Sequence, residues 1–568
     1  MKEIFIFIIN LLAINFLCFL PYWFIGIFSK IDNYSKKSIF ETSLYFALKR
    51  TIYQRFSDDF FRLLFELQAL TLIVLLSEIT YALYFKMIYI GFTVLSFLYI
   101  GYIATMIKIF KRDPVFINDY SFAKTGMLVY NKKLPYLLIV ILVCISVVSF
   151  VSYTLAENLI AISFQMQEKW IILTILSMHL LLGVISAKKI RNNTYHSAIN
   201  FSFIHHIAAN FIKCSQLKKS LKKLNKNSPY NYLKQIKLKN KPNVLLIFLE
   251  SYGNFALSNE LYGSAFKNHL EKINTSLSKN SWKFASTLSE PPVASGGSWL
   301  SHSSILYGAK VKDIAAHEII FTQTNYVATL ESLPKFLNYH GYKTTLTSSL
   351  FYRKNSVDWE KVNNMYPYDN IMLYNDFCYK GKKIPVFDSY ALPDEYILNY
   401  AYQSTSNQTP FCLTISTVNS HYNFVSPIAP MDHWKDYNTK DFQITDGQKK
   451  NYLKNYFSSI NYQFDYIHKF LLNNTLNKDA IVLLIGDHQP PFITPANIDK
   501  NTPIHVISKN NEFINAFKTF DYIKGLIPNK STQKHESFLS KFIYALNKAY
   551  GEDKELELPI FEEGIQLY

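Results

Sequence analysis

Five long apolar stretches fall within the first 190 residues, at about 4–28, 60–83, 87–109, 134–155 and 169–187. A helix of about 20 apolar residues is long enough to cross the hydrocarbon of a bilayer. In lipid every backbone N–H and C=O must be bonded internally, so such stretches are confined to helices packed as a bundle. The first lacks the short apolar core and small-residue cleavage site of a secretory signal and reads as a retained anchor. The second is interrupted by Glu66, Gln68 and Glu78. Intramembrane carboxylates face a bundle interior or a polar cavity; the other reading puts Glu66 and Glu78 at the span ends, in the interface.

Charge divides the chain further. The net charge is +17, and much of it flanks the apolar stretches. The loop 29–58 carries six Lys/Arg, 110–133 carries five and 156–168 none, while Lys188, Lys189 and Arg191 follow the last stretch. By the positive-inside rule this pattern places the C-terminal part in the cytoplasm. Residues 211–241 hold ten lysines and no acidic residue. Such a segment is either drawn to anionic headgroups, at about 1 kcal/mol per charge near the surface, or is a solvated linker. No nucleic-acid motif accompanies the charge, so nucleic acid is excluded as a partner. The resulting organisation is a transmembrane domain over 1–190, a basic juxtamembrane connector over 191–242 and a globular domain over 243–568. Five cysteines are too few for a disulfide framework; a Cys378–Cys412 pair stays open.

From Asn243 onward, apolar runs that read as buried strands (243–251, 343–349, 410–417, 479–486 and 503–508) alternate with helix-like stretches such as 326–341, ended by Gly341, and 451–472. This alternation predicts an α/β domain with a mostly parallel sheet. Functional groups in such sheets gather beyond the strands' carboxyl ends. Those ends carry Glu250-Ser251, Asn419-Ser420-His421 and Asp487-His488. Two carboxylates and two imidazoles on one sheet edge suit Mn²⁺, Zn²⁺ or Mg²⁺. A cation also explains why a buried strand delivers Asp487 and His488 together, since desolvating both is costly without a partner.

Between the first strand and a later helix lies PPVASGGSWLSHSSILYG (291–308). Two glycines allow a tight turn that sets Ser298 at a helix N-terminus, where it is either a simple cap or a nucleophile assisted by the helix dipole. The run from Ser298 through Ser301 and His302 to Gly308 resembles the nucleophile segment of the alkaline phosphatase/sulfatase superfamily. With five spans ahead of it, the chain resembles the lipoteichoic acid synthase-like branch of membrane phosphotransferases.

That resemblance covers about 243–540. It implies a sulfatase-like catalytic domain in which Glu250, Ser298, Asp487 and His488 hold one divalent metal, Mn²⁺ foremost, with Zn²⁺ or Mg²⁺ as alternatives. It gives Ser298 the role of nucleophile and His421, in TVNSHYNF (417–424), that of phosphate contact or proton donor. It implies transfer of a phosphoglycerol or phosphoethanolamine headgroup from phosphatidylglycerol or phosphatidylethanolamine to an extracytoplasmic glycan or polymer, in a multi-pass protein of the cytoplasmic membrane whose catalytic domain faces outward. That placement opposes the loop charges.

The family's headgroup-gripping Trp and Arg correspond loosely to Trp359 and Arg353, whose order and spacing depart from the pattern. His302 stands where sulfatases place Arg and Leu300 where they place Pro or Ala, which disfavours conversion of Ser298 to a sulfatase aldehyde. The alternative within the superfamily is a hydrolase, either phosphodiesterase or sulfatase.

Overall fold

A computed structural model of the chain describes residues 2–28, 63–110, 114–120, 134–190, 203–224, 228–311, 313–321, 323–349, 365–386, 389–473, 476, 480–495, 498–528 and 533–568. They form two compact units, one drawn from residues up to Gln216 and the other chiefly from Leu217–Tyr568.

The first unit is helical: α1 (Lys2–Phe28), α2 (Phe65–Leu76), α3 (Ala82–Phe110), α4 (Leu134–Gln165) and α5 (Lys169–Ile190). Among the described residues three segments are long and apolar enough to cross a membrane, Lys2–Pro21, Ile79–Met106 and Leu138–Gln165; Phe65–Leu76 and Lys169–Leu181 are shorter apolar helices. Two expected boundaries move. The break expected at 84–86 falls at Ser77-Glu78 instead, because Ser77 turns to extended backbone (φ −93°, ψ 169°) and its hydroxyl donates to the Ile73 carbonyl. The 12 residues of α2 span only about 18 Å, against about 30 Å of hydrocarbon. The loop expected at 156–168 is mostly helix, since α4 continues to Gln165.

Phe7, Leu11 and Ile14 of α1, Leu67 of α2, Tyr89 of α3 and Leu159 of α4 build the core of this unit. Several of its buried polar side chains bond from one element to another, as apolar surroundings favour. Asn15 Oδ1 accepts from Leu64 N at 3.1 Å, the Thr71 and Tyr89 hydroxyls lie 3.0 Å apart, and Gln68 Oε1 lies 3.0 Å from His179 Nδ1. Glu66 accepts from the backbone N–H of Ile204, at the start of α6 (Phe203–Leu221), and Glu78 stands exposed at the helix break.

The second unit is built on a nine-stranded sheet of β1 (Val244–Leu249), β2 (Lys283–Glu290), β3 (Lys343–Ser348), β4 (Asn370–Met372), β5 (Phe411–Ser416), β6 (Ile481–Gly486), β7 (Thr502–Ser508), β8 (Ile523–Lys524) and β9 (Gln533–Lys534). Its order is β8-β2-β7-β6-β1-β5-β3-β4, with β9 beside β2. The block β6-β1-β5-β3-β4 is parallel throughout, and β7 runs antiparallel to both neighbours. Every residue of β1, β6 and β7 is buried; β1 and β6 are accordingly apolar throughout, while β7 also buries Thr502, His505 and Ser508.

The helices that bear on the site are α7 (Gly263–Lys279), α8 (Ser298–Tyr307), α9 (Asp394–Thr405) and α10 (Tyr452–Asn473). The single helix expected over 326–341 is two short ones, Thr324–Val327 and Leu333–Tyr339; Pro334, favourable only in a first turn, starts the second. Cys378 and Cys412 are free thiols, one exposed and one buried in β5, so the pairing left open by sequence does not form.

Candidate active site

Register brings the site together. β1 and β6 are parallel neighbours with Leu249 opposite Gly486, so the next residues, Glu250 and Asp487, emerge side by side at one sheet edge. A side chain at Gly486 would put a Cβ 2.0 Å from the Tyr252 carbonyl oxygen, so only glycine lets the chain pass into Asp487. β5, on the other side of β1, delivers the loop bearing His421. Ser298 arrives on the first turn of α8, after Gly296 and Gly297 at φ 66° and 75°.

Glu250, Asp487 and His488 are buried, and each offers a ligand atom within 4.8 Å of the others. Ser298 Oγ donates to Glu250 Oε2 at 3.2 Å and lies 3.2 Å from His488 Nε2. His488 Nδ1 lies 2.9 Å from the Gln489 carbonyl, which can only accept, so Nδ1 carries a proton and Nε2 points into the site, where a neutral ring offers its lone pair to a cation. Asp487 Oδ1 accepts from the N–H groups of Ser251 and His488 at 2.8 and 2.7 Å, whereas its Oδ2, buried, has no hydrogen-bond partner.

The electrostatics follow from burial and crowding. Burial works to raise the Glu250 carboxyl, but the fields of His421 and His488 and the Ser251 hydroxyl hold it below its ordinary value, so it is ionised. Burial and the adjacent Glu250 push Asp487 up to about 7. Burial opposes charge on His488, yet Asp487 and Glu250 raise it above its ordinary value. Two buried carboxylates facing each other, one with an orphaned oxygen, together with an imidazole lone pair, are a donor set that a divalent cation completes. The residues fit a metal of the Mn²⁺, Zn²⁺ or Mg²⁺ class.

Residues 242–519 match the family model described as Sulfatase, and all four of these residues lie inside the match. The domain belongs to the sulfatase family. The chain is thus an enzyme of the alkaline phosphatase/sulfatase superfamily. No match was found among curated proteins. Three solved structures are similar to it. They are the lipoteichoic acid synthase LtaP from Listeria monocytogenes (16% identity, 49% of this chain and 70% of that one, TM-score 0.34), the lipooligosaccharide phosphoethanolamine transferase EptA from Neisseria meningitidis (12%, 95% and 94%, 0.45), and the phosphoglycerol transferase GacH from Streptococcus pyogenes (14%, 62% and 88%, 0.35).

In this sulfatase-family domain two of the other predicted residues, His421 and His302, lie beside the four. His421 is partly buried; its Nδ1 lies 3.0 Å from the Tyr422 carbonyl, and it is close enough for its field to act on Glu250. His302, one turn along α8 from Ser298, is not among the clustered ligands. Its ring stacks on Phe248 of β1 with centroids 4.0 Å apart, and burial lowers its pKa to about 3, so it is neutral. Arg353 and Trp359 lie outside the described residues.

The supporting layer escaped the sequence reading. Ser301 Oγ donates to the Asp487 carbonyl at 2.7 Å and ties α8 to β6. Thr417 Oγ1 accepts from Glu250 N, Ser420 Oγ donates to Glu250 O, and Gln463 Nε2 of α10 donates to both hydroxyls. Asp394, first residue of α9, accepts from the N–H groups of Val418 and Asn419 and fixes the loop that carries His421. A sequence signal did exist for Gln463. It stands in the stripe Tyr456, Ile460, Gln463, Ile467, Phe470, all buried, as its single amide.

Proposed function

We propose that the chain is a metal-dependent membrane phosphotransferase that moves a phosphoglycerol or phosphoethanolamine headgroup from phosphatidylglycerol or phosphatidylethanolamine to a glycan or polymer outside the cytoplasmic membrane. The observation that carries this reading is Ser298, a hydroxyl at a helix N-terminus, held 3.2 Å from both Glu250 Oε2 and His488 Nε2 beside the orphaned oxygen of Asp487. LtaP, EptA and GacH carry activities of this kind in their names. In this proposal residues 1–190 are a five-span membrane domain, 191–242 a basic connector and 243–568 the catalytic domain, facing outward. Two of the proposed spans fall on the shorter apolar helices, of which α2 by itself reaches only about 18 Å.

A divalent cation held by Glu250, Asp487 and His488, Mn²⁺ foremost, would lower the pKa of the Ser298 hydroxyl and offset negative charge on the phosphodiester. With its pKa so lowered, the Ser298 hydroxyl, held between Glu250 Oε2 and His488 Nε2, gives its proton to water as Oγ forms its bond to phosphorus. The bond from phosphorus to the diacylglycerol oxygen breaks, and His421 gives that oxygen its proton. The headgroup phosphate is then esterified to Ser298. An acceptor hydroxyl reverses the step: it attacks phosphorus and loses its proton to His421, the bond from phosphorus to Ser298 Oγ breaks, and Oγ takes a proton back from water. General acid–base assistance of this kind is worth about 10² to 10⁴ in rate. His302, Arg353 and Trp359 are proposed as headgroup contacts.

The test is intact mass spectrometry of the full-length protein with Mn²⁺ and either phosphatidylglycerol or phosphatidylethanolamine. The expected result is a glycerophosphate or phosphoethanolamine adduct that Ser298→Ala abolishes, the mass naming the donor. No adduct with either lipid, together with turnover of soluble phosphate or sulfate esters, would make the enzyme a hydrolase of the same superfamily.

A further inference from the structure

The residue after Glu250 stands in a conformation its side chain does not favour. Ser251 is fully buried at φ 56°, in the left-handed region that glycine enters freely and a residue with a Cβ enters at a cost. A strained backbone at a fixed position persists where something else depends on it. Here the hydroxyl is what glycine lacks, and each polar atom of Ser251 is committed. Its Oγ donates to Glu250 Oε1 at 2.8 Å and its N–H to Asp487 Oδ1 at 2.8 Å. Its carbonyl accepts from the Tyr456 hydroxyl at 3.0 Å, which anchors the turn to α10.

One residue therefore holds one oxygen of each carboxylate. With Glu250 Oε1 bonded to the hydroxyl and Asp487 Oδ1 to the N–H, Oε2 is left to Ser298, and Oδ2, like Oε1, lies 3.6 Å from His488 Nε2. The left-handed turn is what lets the N–H and the side chain of one residue serve two neighbouring strands. An ordinary extended continuation of β1 would point the N–H along the strand ladder instead.

We propose that Ser251 is a positioning residue for the metal centre: it sets the spacing of the Glu250 and Asp487 carboxylates and presents one oxygen of each to the cation. This deepens the metal-dependent reading above and rests on it. Outer partners that orient ligands affect metal affinity by about 10- to 100-fold, so Ser251→Gly and Ser251→Ala both weaken binding by that factor. They differ in backbone cost, since glycine relieves the left-handed turn and alanine does not, so Ser251→Gly melts above Ser251→Ala. A residue that served the fold alone would make affinity follow melting temperature; a positioning residue makes the two variants lose affinity alike.

The experiment is calorimetric titration of Mn²⁺ and of Zn²⁺ into the metal-stripped, detergent-solubilised full chain, with melting temperatures taken before metal is added. Wild type, Ser251→Gly, Ser251→Ala and Asp487→Ala are compared. Expected are one site in the wild type, its loss in Asp487→Ala, and a roughly 10- to 100-fold higher Kd in both Ser251 variants. Wild-type affinity in Ser251→Gly, with Asp487→Ala still defective, would overturn the role of Ser251 and leave the metal centre standing. Equal binding by wild type and Asp487→Ala would overturn the metal centre itself.

Discussion

Gly297 makes the nucleophile's position a question of backbone rather than of space. At φ 75°, an added Cβ would find its nearest neighbour, Leu300 Cδ1, at an ordinary 3.6 Å. Alanine there meets no clash and bears only the left-handed penalty, about 1 to 2 kcal/mol. The chain can relax that penalty by shifting the first turn of α8, and Ser298 is the first residue of that turn. Gly297→Ala is therefore expected to lower stability by about 1 kcal/mol and to slow seryl adduct formation by up to about 100-fold, the cost of a displacement near 1 Å. A melting curve paired with the rate of adduct formation checks it; equal losses in the two would mean that Ser298 had not moved.

Glu250 and the Asp487-His488 pair stood out because they follow apolar runs whose ends are local sequence features, whereas Ser298 stood out through its two glycines and the resemblance of the segment that follows. Ser251 and Ser301 were not legible in their roles. Their partners lie 236 and 186 residues away; the register of β1 on β6 brings Ser251 to Asp487, and the placement of α8 at that sheet edge brings Ser301.

At the scale of elements, α10 does more than cover the sheet. Gln463 closes a ring through Thr417 and Ser420 to the backbone N–H and C=O of Glu250, while Tyr456 and Ser459 of the same helix hold the carbonyls of Ser251 and Phe424. Gln463→Leu keeps the apolar stripe and removes both donated bonds, which leaves two buried hydroxyls short of a donor. A loss of about 1 to 3 kcal/mol in stability is expected, with weaker metal binding because Glu250 loses its brace. Denaturant unfolding and metal titration of the variant measure both, and an unchanged Kd would confine α10 to packing.

The extent of α10 was readable from its apolar period, and so were the five apolar strands. β2 was not, because its buried side chains include Ser286, Thr287 and Ser289. Ser286 and Ser289 pair with His505 and His535 across the sheet, so a strand that reads as polar is buried by long-range hydrogen bonding. The split near Pro334 has a local cause. Periodicity alone continues through a proline that in fact begins a new helix.

At the scale of the whole chain, charge and chemistry call for opposite sides of the membrane. The Lys/Arg-rich loops 29–58 and 110–133 argue for a cytoplasmic C-terminal domain. The proposed headgroup transfer argues for the outside, where the donor ester itself would supply the driving force. Hydropathy located the apolar segments, yet the number of spans was less legible than their presence. The helix break at Ser77-Glu78 lies inside an apolar stretch, where a hydropathy window averages over it.

Cys378 offers a direct reading of sidedness, because it is exposed on the second unit while Cys412 is buried in β5. In intact cells a membrane-impermeant maleimide is expected to label the wild-type chain, and Cys378→Ser is expected to remove most of that label. Cys214 and Cys144 belong to the helical unit and contribute only what survives in the variant. Labelling of Cys378 only after lysis would place the domain in the cytoplasm, away from any extracytoplasmic acceptor. The loop charges would then have decided the topology, and the metal centre would have to serve a hydrolase acting on cytoplasmic esters.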